Sequence, residues 1–172
     1  IGRSLAAGRW EAGMGLVVIA SRRSKVLETT AATMNAKFGE RVTPYAFDIR
    51  NSGQCEGLVK FAADKFRGVD VLINNSGLAV PETVTEISDE GWDKVMETNL
   101  RGAMWLTRAL LPRMLEQDFG DIVNVSSQAG KNGYADVPSY CASKFGLLGF
   151  AESVRDDGRK RGDDDNTQFD RV

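Results

Sequence analysis

The 172-residue chain contains no histidine, and that absence removes a large part of enzyme chemistry. No Ser-His-Asp or Cys-His nucleophile can form, nor a His-ligated zinc site, and imidazole cannot serve as general base. Proton transfer near neutral pH must fall to Tyr, Lys, Asp, Glu or Cys in an environment that tunes the pKa. Cysteine is nearly as scarce. Cys55 and Cys141 are the only two, too few for a four-thiolate metal site and far from a Cys-x-x-Cys pair. Both are expected as reduced thiols, and no metal is expected. Excess charge is lacking as well: 22 basic against 24 acidic side chains leave a net charge of -2. That balance gives no electrostatic ground for a nucleic-acid partner or an anionic membrane surface. Residues 16–20 form the most apolar stretch, far too short to span a bilayer. No charged-then-apolar secretory start is visible. The chain reads as a soluble, cytoplasmic protein.

What is present is alternation. Apolar, β-rich runs lie at residues 16–20, 42–47, 69–73 and 122–125. Such near-continuous runs suit strands of a parallel sheet covered on both faces. Between them, residues 24–38 and 52–66 read as amphipathic helices, with Leu58, Ala62 and Phe66 sharing a face of the second. A longer helix is predicted over 88–116, where Trp92, Val95, Met96, Asn99, Ala103, Leu106 and Leu110 form one stripe. Pro112 should kink or tighten its last turns. Residues 139–161 read as another helix with Ser139 as N-cap. Strand–helix alternation of this kind predicts an α/β fold with an open, doubly wound parallel sheet. Asp163-Asp164-Asp165-Asn166 reads as an acidic, solvated tail.

Several residues carry possible chemistry, and each also has a plain structural reading. Tyr140 and Lys144 are four apart at the start of a predicted helix, so they share one face. A nearby ammonium stabilises phenolate and lowers a tyrosine pKa, although the same spacing also arises by chance on a helix surface. Ser127 follows the run 122–125, at the carboxyl end of a strand, where ligands of such sheets bind; it could equally cap a turn. Asn99 is a poor helix former on the inward stripe, so it is either a structural lock or part of a hydrogen-bonded relay. Asn74-Asn75-Ser76-Gly77 follows an apolar strand and reads as a turn past which a cofactor could run. After the first run comes Ser21-Arg22-Arg23. Arginine at this place in a dinucleotide fold accommodates a 2′-phosphate, whereas an acid would bind the ribose 2′-OH. Asp48 could cap the next helix or accept a hydrogen bond from an adenine amine.

Taken in order, Asn74-Asn75-Ser76-Gly77, Asn99, Ser127, Tyr140 and Lys144 resemble the short-chain dehydrogenase/reductase family. The resemblance implies a Rossmann-like sheet over residues 1–162, followed by the polar tail 163–172. It implies Tyr140 as acid/base, Lys144 as the group that lowers its pKa and holds the nicotinamide ribose, and Ser127 as the group that orients the substrate oxygen. Asn99 would support a water in the proton relay. Ser21, Arg22, Arg23, Asp48, Asn74 and Gly77, with Tyr140 and Lys144, would contact the cofactor. Arg22 points to NADP(H) over NAD(H). Ile1-Gly2 matches the end of the family's glycine loop, Thr-Gly-x-x-x-Gly-Ile-Gly, so Gly2 would be a cofactor contact. By the same resemblance, the first strand and the C-terminal strands are missing from the 172 residues. The implied activity is hydride transfer between NADP(H) and a carbonyl or secondary alcohol, in the manner of a 3-oxoacyl-thioester reductase or a general carbonyl reductase. Such an enzyme would assemble as a homodimer or homotetramer. The alternative is a truncated, inactive remnant that serves as an interaction module or reflects an incomplete gene model.

Overall fold

In the computed structural model, which describes residues 15–161, the first apolar run becomes strand β1 (Val17–Ser21) and the second becomes β2 (Val42–Ala46). Helix α1 (Ser24–Phe38) joins them, and the strands pair in parallel with Val17 opposite Val42 and Ser21 opposite Ala46. Leu27, Ala31 and Met34 are spaced for one helical face and are the buried residues of α1. Ala31 and Met34 pack with Val42, and Val17, Ile19 and Phe38 close around them. All five residues of β1 are only half-buried, so the cover on both faces expected from its apolar run is incomplete.

The exit from α1 is held by Asn35. Its Oδ1 accepts from the backbone N–H of Val42 at 2.8 Å and of Arg41 at 3.1 Å, and its Nδ2 donates to the Val42 carbonyl at 3.0 Å. One side chain thereby supplies both ends of a strand-like bond at the entry to β2. Gly39 makes the reversal with a φ of 82°, a region where a side chain would be strained. Helix α2 (Ser52–Phe66) then begins at Asn51, whose side chain accepts from the Gln54 N–H. That cap corrects the expectation for Asp48, whose carboxylate is engaged elsewhere. Cys55 is fully buried on α2 and donates to the Ile49 carbonyl; burial pushes its thiol up to about 11. Both cysteines are free.

The chain divides into two compact units between Arg67 and Gly68. The second unit opens with β3 (Val71–Asn74), which pairs in parallel with β4 (Asp121–Asn124). Asn74 is the last residue of β3 and not the first of a turn. Its side-chain Nδ2 donates to Asn124 Oδ1 at 3.0 Å, and its carbonyl accepts from Val125 N–H at 2.9 Å. This amide pair extends the ladder one residue beyond the apolar run.

The predicted helix over 88–116 is three pieces. Helix α3 (Asp89–Met96) is capped by Ser88, whose Oγ accepts from Gly91 N–H, with Asp89 and Glu90 favourably placed in the first turn. A π turn (Glu97–Arg101) follows, and helix α4 (Gly102–Glu116) continues through Pro112. The interruption therefore lies at Asn99 as well as any effect of the proline. Val95, Asn99, Ala103, Leu106 and Leu110 are buried as the stripe predicted, whereas Trp92 is exposed. Helix α5 (Pro138–Arg161) closes the described chain. Pro138 opens it, since its fixed φ and missing N–H suit the first helical position. Ser139 is consequently inside the helix and buried with no partner for its hydroxyl, not the N-cap. Gly2 and the acidic stretch 163–172 lie outside the described residues. Among the described residues, no helix is long and apolar enough to cross a membrane.

Replacing Asn35 by Ala strips four bonds from the α1–β2 junction, the fourth being its Nδ2 to the Glu40 carboxylate. We expect a loss of about 1–3 kcal/mol of unfolding free energy, to be read from urea titration of the two proteins.

Candidate active site

Asn99 sits in the π turn, 1% exposed, and its amide makes three hydrogen bonds. Oδ1 accepts from the Leu78 N–H at 2.9 Å, while Nδ2 donates to the Leu78 carbonyl at 2.8 Å and to Ser143 Oγ at 2.9 Å. The side chain therefore locks the segment after β3 to α5, as the lock reading anticipated. Both amide N–H groups are thereby spent within the protein, and the acceptor side of Asn99 keeps capacity for a water. Gly77 lies against the same cluster: a Cβ there would stand 3.6 Å from Lys144 Nζ and 3.7 Å from Asn99 Oδ1.

Tyr140 and Lys144 share one face of α5, with the ammonium 5.7 Å from the centre of the phenol ring, within cation–π range. Lys144 is 4% exposed. Its Nζ donates to the Val125 carbonyl at 2.8 Å, its one hydrogen bond among the described residues. Burial lowers its pKa below the ordinary 10.5, because desolvation penalises the charged form. An ammonium has three donors, so two remain for a ligand hydroxyl or water.

Ser127 follows β4 in extended backbone, and its Oγ accepts from Ala129 N–H at 3.2 Å. It thus caps the short 3-10 turn Gln128–Gly130, while its hydroxyl proton stays available. The turn is pressed onto α5: a Cβ on Gly130 would fall 2.9 Å from the Lys144 carbonyl oxygen and 2.6 Å from Ser126 Oγ. Ser126 itself donates to that Lys144 carbonyl at 3.3 Å. The loop that follows is tied by Cys141, whose buried sulfur accepts from the Tyr134 N–H. Within the second unit, Asn99 and Lys144 thus meet at Gly77, and the turn capped by Ser127 packs against the helix that bears Tyr140 and Lys144, with Asn74 ending β3.

The remaining candidates belong to the first unit. Ser21 ends β1, and its carbonyl accepts from Phe47 N–H. Arg22 and Arg23 follow, both exposed. Arg22 makes no hydrogen bond to another described residue. Asp48 is gripped by Arg50, whose Nη2 lies 2.7 Å from Oδ2 and whose Nε reaches both carboxylate oxygens. That guanidinium holds the Asp48 carboxyl below the usual range, against the opposing effect of burial, and the charge of Arg22 adds to it.

Several contributors were not singled out from sequence: Ser143, Asn124, Thr107, Ser126 and Gly130. Ser143 had a signal, being a serine in a helix interior, where its hydroxyl competes with the backbone. Thr107, 1% exposed on α4, has its Oγ1 within 3.4 Å of Asn74 Nδ2; nothing in its local sequence marks that contact. In the second unit, a buried ammonium with spare donors suits ribose hydroxyls; in the first, the exposed guanidinium of Arg22 suits a phosphate.

A family model for short chain dehydrogenases matches residues 1–162. The chain belongs to the short-chain dehydrogenase/reductase family. Among curated members, it is 40% identical over 139 residues to the ketoacyl reductase HetN of Nostoc, covering 81% of this chain and 48% of that protein. It is 32% identical over 155 residues to the 3-oxoacyl-[acyl-carrier-protein] reductase FabG of Vibrio cholerae, covering 87% and 64%. The chain thus spans 48% and 64% of the length of these short-chain dehydrogenase/reductase relatives. Its fold matches a short-chain dehydrogenase from Streptomyces avermitilis with a TM-score of 0.85 at 27% identity, over 94% of this chain and 58% of that one.

Burial of Lys144 leaves a signature in stability. Between its lowered folded value and the ordinary 10.5, the unfolded chain binds the proton and the folded chain does not, so stability rises with pH. The unfolding free energy of wild type relative to Lys144→Met should therefore increase as the pH rises toward the ordinary 10.5 in paired urea titrations. A flat difference would remove the burial cost.

Proposed function

We propose that this chain carries the acid–base machinery of an NADP(H)-dependent oxidoreductase that interconverts a carbonyl and a secondary alcohol, with 3-oxoacyl thioesters as the substrate class. The observation that carries this reading is Lys144. A cation buried to 4% exposure with one protein acceptor is costly unless another charge develops beside it. The phenol one helical turn away is the group whose ionised form it would favour.

A bound nicotinamide dinucleotide supplies the hydride. Tyr140 holds a proton on its phenol oxygen and passes it to the substrate oxygen as negative charge grows there. Lys144 stabilises the phenolate that remains, and its spare N–H donors suit the ribose. The Ser127 hydroxyl donates to the same substrate oxygen and orients it. Asn99 acts through its grip on Leu78 and Ser143 and supports a water in the proton relay. In alcohol oxidation the same groups run in reverse, with Tyr140 as base. Imidazole is needed at no step.

The substrate class is supported by the names of the relatives, one a ketoacyl reductase and one a 3-oxoacyl reductase. Preference for NADP(H) over NAD(H) is supported by Arg22, a guanidinium where a 2′-hydroxyl reader would carry an acid. Ser21 and Arg23 flank that contact. Asp48, oriented by Arg50, suits the adenine amine, and Asn74 and Gly77 line the cofactor path beyond β3. A homodimer or homotetramer is supported by Trp92 on α3 and Phe145 on α5, large apolar side chains left 37% and 47% exposed. No observation favours the alternative of a non-catalytic interaction module, since the acid–base set is present in full.

In the full-length protein, Tyr140→Phe should abolish NADPH-dependent reduction of acetoacetyl-coenzyme A while leaving NADPH binding, followed by fluorescence, intact; full turnover in that variant would end the assignment. The ratio of kcat/KM for NADPH over NADH should exceed one. Arg22→Ala should lower it by about tenfold or more, as befits one charge-assisted phosphate contact.

A further inference from the structure

Ser143 stands between Tyr140 and Lys144 on α5 but one face away from the reacting groups. It is fully buried, at 0% exposure, and its hydroxyl is used twice. It accepts from Asn99 Nδ2 at 2.9 Å and donates to the backbone carbonyl of Tyr140 at 2.7 Å. Asn99 in turn holds both the N–H and the carbonyl of Leu78. A continuous chain of bonds therefore runs from Leu78, one residue after Gly77, through the π turn to the helical turn that bears Tyr140. Neighbouring contacts leave little slack, since a Cβ on Gly146 would lie 2.9 Å from Leu100 Cδ2.

We propose that the Ser143 hydroxyl is a positioning residue for the reaction: it orients the Asn99 amide and sets Tyr140 against the backbone at Gly77-Leu78. This inference rests on the reading of Tyr140 as acid/base. Without the hydroxyl, one Asn99 N–H has no acceptor in a buried site, and a buried donor does not stay unpaired. The amide then turns away or α5 shifts, and the grip on Leu78 loosens. A misplacement of that kind slows chemistry more than it weakens binding.

Thr and Val have nearly the same shape and differ in the hydroxyl, so comparing Ser143→Thr with Ser143→Val cancels the steric cost of the added carbon. With NADPH and acetoacetyl-coenzyme A, Ser143→Ala and Ser143→Val should lose about tenfold or more in kcat with KM changed less than about threefold. Ser143→Thr should turn over at least about fivefold faster than Ser143→Val. Equal rates for that pair, or an unchanged kcat in Ser143→Ala, would overturn the proposal. Hydrogen exchange gives a readout independent of turnover: the Leu78 amide should exchange at least about tenfold faster in Ser143→Ala, and unchanged protection would overturn the linkage. Tyr140→Phe run alongside separates the two failures. An active Tyr140→Phe sinks the acid/base reading itself, whereas an inactive one beside a normal Ser143→Ala sinks only the role of Ser143.

Discussion

One carboxamide holds the second unit's working parts in relation to one another. Asn99 is buried, and its three hydrogen bonds go to Leu78 on one side and Ser143 on the other. Leu78 follows Gly77, which lies beside the Lys144 ammonium. Ser143 lies between the two titratable groups of α5. A buried amide in which every bond is satisfied is rigid, because rotating it leaves a donor or acceptor unpaired in a low-dielectric interior. The geometry of the site is thus set by a neutral group, and the charged and acidic groups are placed around it.

Electrostatics follow from that placement. The interior near Lys144 offers one carbonyl and no carboxylate among the described residues to offset the charge, and burial is the cause of its lowered pKa. A paired lysine would be easier to bury, but its charge would already be compensated and would do less for a phenolate. In the first unit the reverse holds for Asp48. There Arg50 binds the carboxylate on both oxygens, so the acid is fixed in its ionised form. A deprived cation and a saturated anion answer different chemical needs.

Much of this was legible in sequence where physics is local. Residues 24–38 and 52–66 were readable as helices to their ends, because the apolar period and the polar residues at their borders agree. Tyr140 and Lys144 were readable as one face because helical spacing fixes it. What escaped depends on contacts distant along the chain. Asn74 looks like turn chemistry, yet its amide meets Asn124 across 50 positions and keeps it in the strand. Ser139 looks like a cap until Pro138 is recognised as the better first residue. The π turn escaped because Val95, Asn99 and Ala103 are four residues apart, a spacing that fits a wide turn as well as a regular one. Ser143 matters through Asn99, 44 positions away, and no pattern within α5 announces that partner.

The wide turn at Glu97–Arg101 has a geometric consequence. Adding a residue to one turn shifts everything beyond it by about 100° of helical phase. The segment before and the segment after can then aim their side chains independently. Upstream, Val95 is buried, and downstream, Ala103, Leu106 and Leu110 are buried. Between them the widened turn lets a polar residue reach sideways to a neighbouring helix without either apolar face being turned out. A regular helix would have had to serve packing and hydrogen bonding with a single rotation. A deletion of one residue here would leave composition and hydropathy almost untouched and still put the two faces out of step.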